Sequence, residues 1–270
     1  MKAMILAAGY GKRMLPLTEK LPKPLLQVRG RALLEHHLDN LYQAGFREVV
    51  INLGHLGHKI EEALGNGSGY GLHILYSPEG PDPLETGGGM TKALPLLGAN
   101  PFLIVNADIF CDFDFAKLPT LDVEADAHLV LVDTPGYKPR GDFSLNGGNV
   151  VEAEEPELTY SGIALYHPRI LDGARVERFS ILPLLRQAIA AGRGPDIISA
   201  KLHERARVAW SGRTRTRSPR AQRRRGSARA QPRTARSRDR ERSRPSRGSG
   251  RVRVRARRAR RPSRRRRRWP

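Results

Sequence analysis

The chain carries a single cysteine, Cys111, in 270 residues. One thiol excludes an internal disulfide and a cysteine-rich metal site, and it fits a reducing compartment. No stretch approaches the roughly 20 apolar residues of a membrane span. A leader is lacking as well: Met1-Lys2-Ala3-Met4-Ile5-Leu6-Ala7-Ala8 is a short apolar run that breaks at Gly9, too short for a secretory signal. Residues 1–200 contain no internal repeat. A soluble, cytoplasmic protein with no membrane partner is expected.

Acidic residues are scarce in one part of the chain only. Residues 201–270 hold 30 of the 48 Lys and Arg but 3 of the 27 Asp and Glu, which leaves 18 basic and 24 acidic side chains in residues 1–200. The formal net charge of +21 thus averages a front of −6 and a back of +27. The front has regular apolar runs and the length of one domain, commonly about 100–200 residues. The back is mostly Arg, Ser, Pro, Ala and Gly, which cannot bury enough apolar surface to offset the entropy of ordering. A folded domain over residues 1–204 and a disordered basic tail over 205–270 are expected.

Within the front, short apolar runs bounded by turn residues alternate with stretches of helical period, the pattern of βα units. Strands are expected at Ala3–Ala8, Glu48–Leu53, Leu72–Tyr76, Phe102–Asn106, His128–Asp133 and Thr159–Tyr166. Helices are expected at 31–45, Leu56–Leu64, Gly88–Leu97 and Ser180–Ala191, with glycines at 45, 65 and 192 as stops. Pro95 sits awkwardly for the last turn of the third. Pro135, Gly136, Pro139, Gly141, Gly147 and Gly148 mark residues 134–160 as antiparallel strands or a flap at the sheet edge. The fold class is α/β, a Rossmann-like, mostly parallel sheet with helices on both faces.

Ligands of such sheets bind beyond the carboxyl ends of the strands. After the first strand, Gly9-Tyr10-Gly11 lets backbone amides approach an anion, and Lys12 and Arg13 can neutralise phosphates. The turn lacks the third glycine of a dinucleotide site and the Gly-Lys-Ser/Thr of a Walker loop; by itself it also suits a plain tight turn. Pro22 and Pro24 flank Lys23 and fix its backbone. Gly87-Gly88-Gly89 either contacts a flat base or sugar or is a flexible helix entry. Asp108, after the Phe102 strand, either holds Mg²⁺ or is a solvated strand end. The histidines, among them His36, His37, His55 and His58, are expected to pack or to lie at the surface.

The run from Met4 to Val28 resembles the signature of the sugar-1-phosphate nucleotidyltransferases. The resemblance implies a nucleoside triphosphate and a sugar-1-phosphate as substrates. It implies roles at the nucleotide for Ala8, Gly9, Gly11, Lys12, Arg13, Lys23, Glu79 and Gly87, with Arg13 and Lys23 catalytic. Asp108 would hold Mg²⁺, and Asn106, Gly141, Glu154 and Ser161 would meet the sugar. Within the family, Glu85–Gly89 and Arg140–Phe143 are similar to members that pair UTP with N-acetylmuramate 1-phosphate for cell-wall sugar recycling. Relatives that use guanosine or thymidine triphosphate with mannose or glucose phosphates share most of the motifs.

Two departures stand out. Many relatives have Glu-Lys-Pro where this chain has Glu154-Glu155-Pro156. The likeness also ends at Leu202-His203-Glu204, before the Trp-x-Asp-x-Gly-Thr stretch that gives the family a second metal-binding carboxylate; the acids beyond are Glu204, Asp239 and Glu241. Residues 205–270 are either an Arg-rich extension that binds nucleic acid or the product of a frame shift in a GC-rich gene. Their lack of heptads and of interleaved aromatics favours the shift. Either way, a catalytically impaired protein that still binds a nucleotide sugar is the alternative to an active enzyme.

Overall fold

The computed structural model describes residues 1–121, 124–192 and 196–198. The chain divides into two units, Met1–Thr216 and Arg217–Pro270; every described residue belongs to the first. The Arg-rich tail and the place of the second carboxylate therefore lie outside the described residues.

The strands are β1 (Ala3–Leu6), β2 (Gln27–Val28), β3 (Arg31–Ala32), β4 (Glu48–Leu53), β5 (His73–Pro78), β6 (Phe102–Asn106), β7 (Ala127–Asp133), β8 (Ser144–Asn146), β9 (Asn149–Val151), β10 (Leu158–Tyr166) and β11 (Asp196–Ile198). The α-helices are α1 (Leu33–Gln43), α2 (Gly57–Leu64), α3 (Glu85–Leu97) and α4 (Leu182–Ala190). Nine strands form one sheet in the order β5-β4-β1-β6-β10-β7-β11-β9-β8, and β2 and β3 make a separate hairpin. Strands β5, β4, β1 and β6 run parallel. β10 runs against both β6 and β7, and β8 and β9 form the expected antiparallel addition beyond β11.

The central strands read as unbroken apolar runs because both faces of the sheet are covered. In β4, Val49 and Ile51 face one core and Val50 the other; in β1, Ala3 and Ile5 oppose Met4 in the same way. Leu34, Leu38 and Leu41 of α1 and Ile60 and Leu64 of α2 cover the first face. Met90, Ala93 and Leu97 of α3 and Leu185 of α4 cover the second. Each large side chain so buried contributes roughly 1.5–3 kcal/mol. Among the described residues no helix is long and apolar enough to cross a membrane.

Three boundaries differ from expectation for physical reasons. β1 ends at Leu6 rather than Ala8, because the Ala7 amide leaves the ladder for the Asn52 side chain. The hairpin β2–β3, turning through Arg29 and Gly30 with φ of 54° and 81°, takes the start of the expected 31–45 helix. α3 begins at Glu85, so the three glycines lie inside the helix rather than ahead of it. Close packing demands them there: a Cβ at Gly87 would stand 2.2 Å from the Phe179 ring, and one at Gly88 1.9 Å from the Glu177 carbonyl oxygen.

Candidate active site

The loops that follow β1, β4, β5 and β6 line a cleft of about 1190 Å³ beyond the carboxyl ends of those strands. Ligand pockets commonly run to about 300–1,000 Å³, so a nucleotide and a second substrate fit together. Ala8, Gly9, Gly11, Lys12, Arg13, Lys23, Glu79, Asn106 and Asp108 all stand on its wall.

Gly11 turns the first loop with φ +64°, in the left-handed region, and a Cβ there would lie 2.9 Å from Thr18 Cγ2. Thr18 Oγ1 donates to the Gly11 carbonyl at 3.0 Å and holds that turn. Gly9 is exposed with nothing within 4 Å of a Cβ position, so its backbone is open to a ligand. Lys12–Met14 then form a 3-10 turn, which sets Lys12 and Arg13 at the mouth of the loop. Tyr10 donates its hydroxyl to the Pro81 carbonyl and packs on His55 with ring centroids 5.4 Å apart, which ties the loop to the opposite wall.

Lys23 starts a 3-10 turn fixed by Pro22 and Pro24. Its side chain is 13% exposed, and Nζ donates to Asp108 Oδ2 at 2.6 Å. Asp108 is 38% exposed, so one partner is held by the protein while the other still meets solvent. Beneath them runs a buried polar floor. Asn52 Oδ1 accepts from the Ala7 amide at 2.6 Å, and its Nδ2 donates to Glu79 Oε1 at 2.6 Å. Glu79 Oε2 in turn accepts from the Leu84 amide at 2.7 Å.

Residues 2–143 match the family described as "Nucleotidyl transferase". The chain belongs to the nucleotidyl transferase family. It is 48% identical to the N-acetylmuramate alpha-1-phosphate uridylyltransferase of Neisseria meningitidis serogroup B, over 72% of this chain and 87% of that protein. The Caulobacter vibrioides protein of the same name is 36% identical over 71% of this chain and 85% of its own length. A more distant relative is the mannose-1-phosphate guanylyltransferase catalytic subunit beta of Drosophila melanogaster, 31% identical over 67% of this chain and 52% of that one. Among solved structures, a putative glucose-1-phosphate thymidylyltransferase from Bacillus anthracis superposes with a TM-score of 0.63 at 19% identity, covering 74% of this chain and 87% of its own. That likeness supports the fold.

Other expected residues of the nucleotidyl transferase site lie away from the cleft wall. Gly87 is buried, its amide donating to the Phe179 carbonyl at 2.9 Å. Gly141 donates its amide to the Pro156 carbonyl at 3.0 Å, and a Cβ there would meet that oxygen at 2.5 Å. Ser161 is buried, with Oγ donating to the Val130 carbonyl at 2.7 Å. Glu154 is exposed on the segment between β9 and β10. Of the four residues expected at the sugar, Asn106 alone lines the cleft. The bulge of β10 between Tyr160 and Ile163 brings Gly162 against the Asn106 side chain, where a Cβ would come within 2.7 Å of Nδ2.

Sequence reasoning missed Asn52, Glu85, Tyr137 and Arg178 on the cleft wall. Asn52 had a signal, a polar residue inside the apolar run of β4. Glu85 adopts φ +62°, and its carboxylate takes Arg178 Nε at 3.0 Å across the rim; neither leaves a trace in a local pattern. The histidines pack as expected. His36 Nε2 lies 2.9 Å from the Val28 carbonyl. His37 is buried, and neither ring nitrogen has a partner of normal hydrogen-bond geometry.

Proposed function

We propose that this chain joins UTP to N-acetylmuramate 1-phosphate, yielding the nucleoside diphosphate sugar and pyrophosphate. The observation that carries the reading is the Lys23–Asp108 pair facing an open glycine loop across one cleft. Two uridylyltransferases of that name among the relatives support this choice of substrates. The proposal assigns the reaction to residues 1–204, in the cytoplasm, and gives residues 205–270 no part in it.

An oxygen of the sugar phosphate attacks the α-phosphorus. A new P–O bond forms, the bond from that phosphorus to the bridging oxygen of the β-phosphate breaks, and pyrophosphate leaves with the electron pair. Such in-line displacement depends on positioning and charge neutralisation rather than on a covalent nucleophile. Amides of Ala8, Gly9 and Gly11 meet phosphate oxygens, and Arg13 and Lys12 offset their charge. Lys23, held in place by its prolines, follows the charge that develops on the transferred phosphoryl group. The nucleophilic oxygen is already ionised, so no side chain has to remove a proton. Asn106 is the residue against which the sugar is placed.

Asp108 supplies the hard oxygen donor that Mg²⁺ requires. Among the described residues no group of three or more His, Cys, Asp or Glu is placed to hold a metal, so phosphates and water would complete the shell. A bound cation would neutralise the triphosphate and polarise its phosphorus. The test is pyrophosphate release by the purified chain with Mg²⁺, a panel of triphosphates and several sugar-1-phosphates. Release confined to UTP with N-acetylmuramate 1-phosphate is expected; release with a hexose phosphate alone would overturn the choice of sugar.

A further inference from the structure

A triphosphate site that lines its wall with a buried carboxylate sets a puzzle. Glu79 is 8% exposed and faces the same cleft as Lys12, Arg13 and Lys23. A carboxylate repels phosphate, and burial in low dielectric strengthens that repulsion. It is tolerated only where the ligand presents N–H or O–H donors. Glu79 leaves the end of β5 beside the start of α3, on the wall opposite the cationic loop, where the uncharged end of a nucleotide would reach.

The carboxylate is also held on both sides. Asn52 Nδ2 donates to Oε1 and the Leu84 amide to Oε2. Gly89 makes room for it, since a Cβ there would stand 2.5 Å from Oε1 and 3.1 Å from Asn52 Nδ2. The other end of Asn52, 3% exposed, accepts from Ala7 in the glycine loop. One rigid amide thus joins the loop assigned to the phosphates to the carboxylate. A carboxylate so bonded has only lone pairs left to offer.

We propose that Asn52 is a positioning residue that fixes Glu79 as an acceptor for the base, so that the cleft selects triphosphates whose base carries an N–H on its pairing edge. Uracil and guanine have that donor at N3 and N1. Cytosine N3 and adenine N1 are acceptors and would face the carboxylate lone pair to lone pair. The inference rests on the nucleotide-binding reading above and adds to it the class of base and the residue that enforces it.

The experiment is calorimetric titration of the full chain with UTP, CTP and 2′-deoxy-UTP in Mg²⁺, for the natural sequence and for Asn52→Leu. UTP should bind about 10- to 100-fold more tightly than CTP, the range set by one buried acceptor left unmatched. Asn52→Leu should lower that ratio to about 3-fold or less, mainly by weakening UTP. A merely structural role would weaken both nucleotides alike, and that result overturns the proposal. Should Asn52→Leu fail to fold, Asn52→Ser, whose hydroxyl reaches only one of the two neighbours, gives the same readout. Equal affinity of the natural chain for UTP and CTP overturns the inference while leaving nucleotide binding intact. Discrimination against 2′-deoxy-UTP with none against CTP overturns it in favour of a ribose contact. Absence of binding by any triphosphate removes the underlying reading, and the inference with it.

Discussion

Lys23 Nζ donates to Asp108 Oδ2 at 2.6 Å, and the ammonium is the more buried partner, 13% exposed against 38%. The pair is therefore asymmetric. A buried cation without its counterion loses hydration that nothing replaces, whereas a carboxylate open to water keeps much of its own. Asp108→Asn should destabilise the fold by about 1–3 kcal/mol, and Lys23→Met by about 1 kcal/mol or less. Activity should rank differently: Lys23→Met should lower kcat/KM about 10²- to 10³-fold by removing a cation from the transferred phosphoryl group. Urea melts and pyrophosphate release check the two rankings, and equal losses of stability would remove the asymmetry.

The two glycines of the first loop are predicted to fail in opposite ways. Gly11→Ala forces a side chain into φ +64° and against Thr18, so it should cost about 1–3 kcal/mol of stability. Gly9→Ala places its methyl in open space and should change stability by less than about 0.5 kcal/mol. The same methyl would occupy the space where phosphate approaches, so UTP affinity should fall at least about 10-fold. Thermal melts and nucleotide titration separate the two, and unchanged affinity in Gly9→Ala would remove the loop from the phosphate site.

The buried floor predicts a compensating pair. Glu79→Gln leaves a donor facing either Asn52 Nδ2 or the Leu84 amide, since both now donate to the carboxylate; an orphaned buried donor costs about 1–3 kcal/mol. Asn52→Asp still accepts from Ala7 but sets two carboxylates against each other. Made together, the two substitutions restore every hydrogen bond, with the introduced amide donating to the introduced carboxylate. Stability of the double variant should therefore exceed that of either single variant in a double-mutant cycle. Additive losses would dissolve the network.

What the chain discloses by pattern alone, and what it hides, follows from the range of each interaction. Val49 to Leu53 and Phe102 to Val105 are apolar without a break because both sheet faces are covered, so those strands were legible, as were α1 and α2 by their period. Strand direction was not: β10 is as apolar as β6, yet it runs against it, and burial carries no sign of polarity. The start of α3 was misplaced because Gly87, Gly88 and Gly89 read locally as a break, whereas Phe179, Glu177 and Glu79, distant in sequence, require them. In the site, Lys23 and Asp108 were legible from their flanks, while Asn52 was hidden by the strand that carries it. The amides of Gly87 and Gly141 could not be known to bond Phe179 and Pro156 without the fold.

His37 makes the fold sensitive to acid. Burial pushes its pKa down to about 4 from 6.5, against smaller opposing effects of the Ile109 backbone and Asp108. The unfolded chain takes up its proton near pH 6.5 and the folded one only near 4. The contribution of His37 is therefore complete above about pH 6.5 and is lost as pH falls towards 4. The difference amounts to about 3 kcal/mol. Replacing the ring by His37→Leu should flatten the fall of stability over that interval by a comparable amount, measured by urea unfolding at pH 7, 5.5 and 4.5. A slope identical to that of the natural chain would place the acid sensitivity elsewhere.

The central claim is that a glycine-lined loop, with Lys23 and Asp108 across from it, grips a triphosphate together with a divalent cation. Isothermal titration of the full chain with UTP, in the presence and absence of Mg²⁺, tests it most directly. Saturable binding that Mg²⁺ strengthens, and that loses this Mg²⁺ dependence in Asp108→Ala, is the expected result. Heat that never saturates, or affinity indifferent to both Mg²⁺ and Asp108, would contradict it.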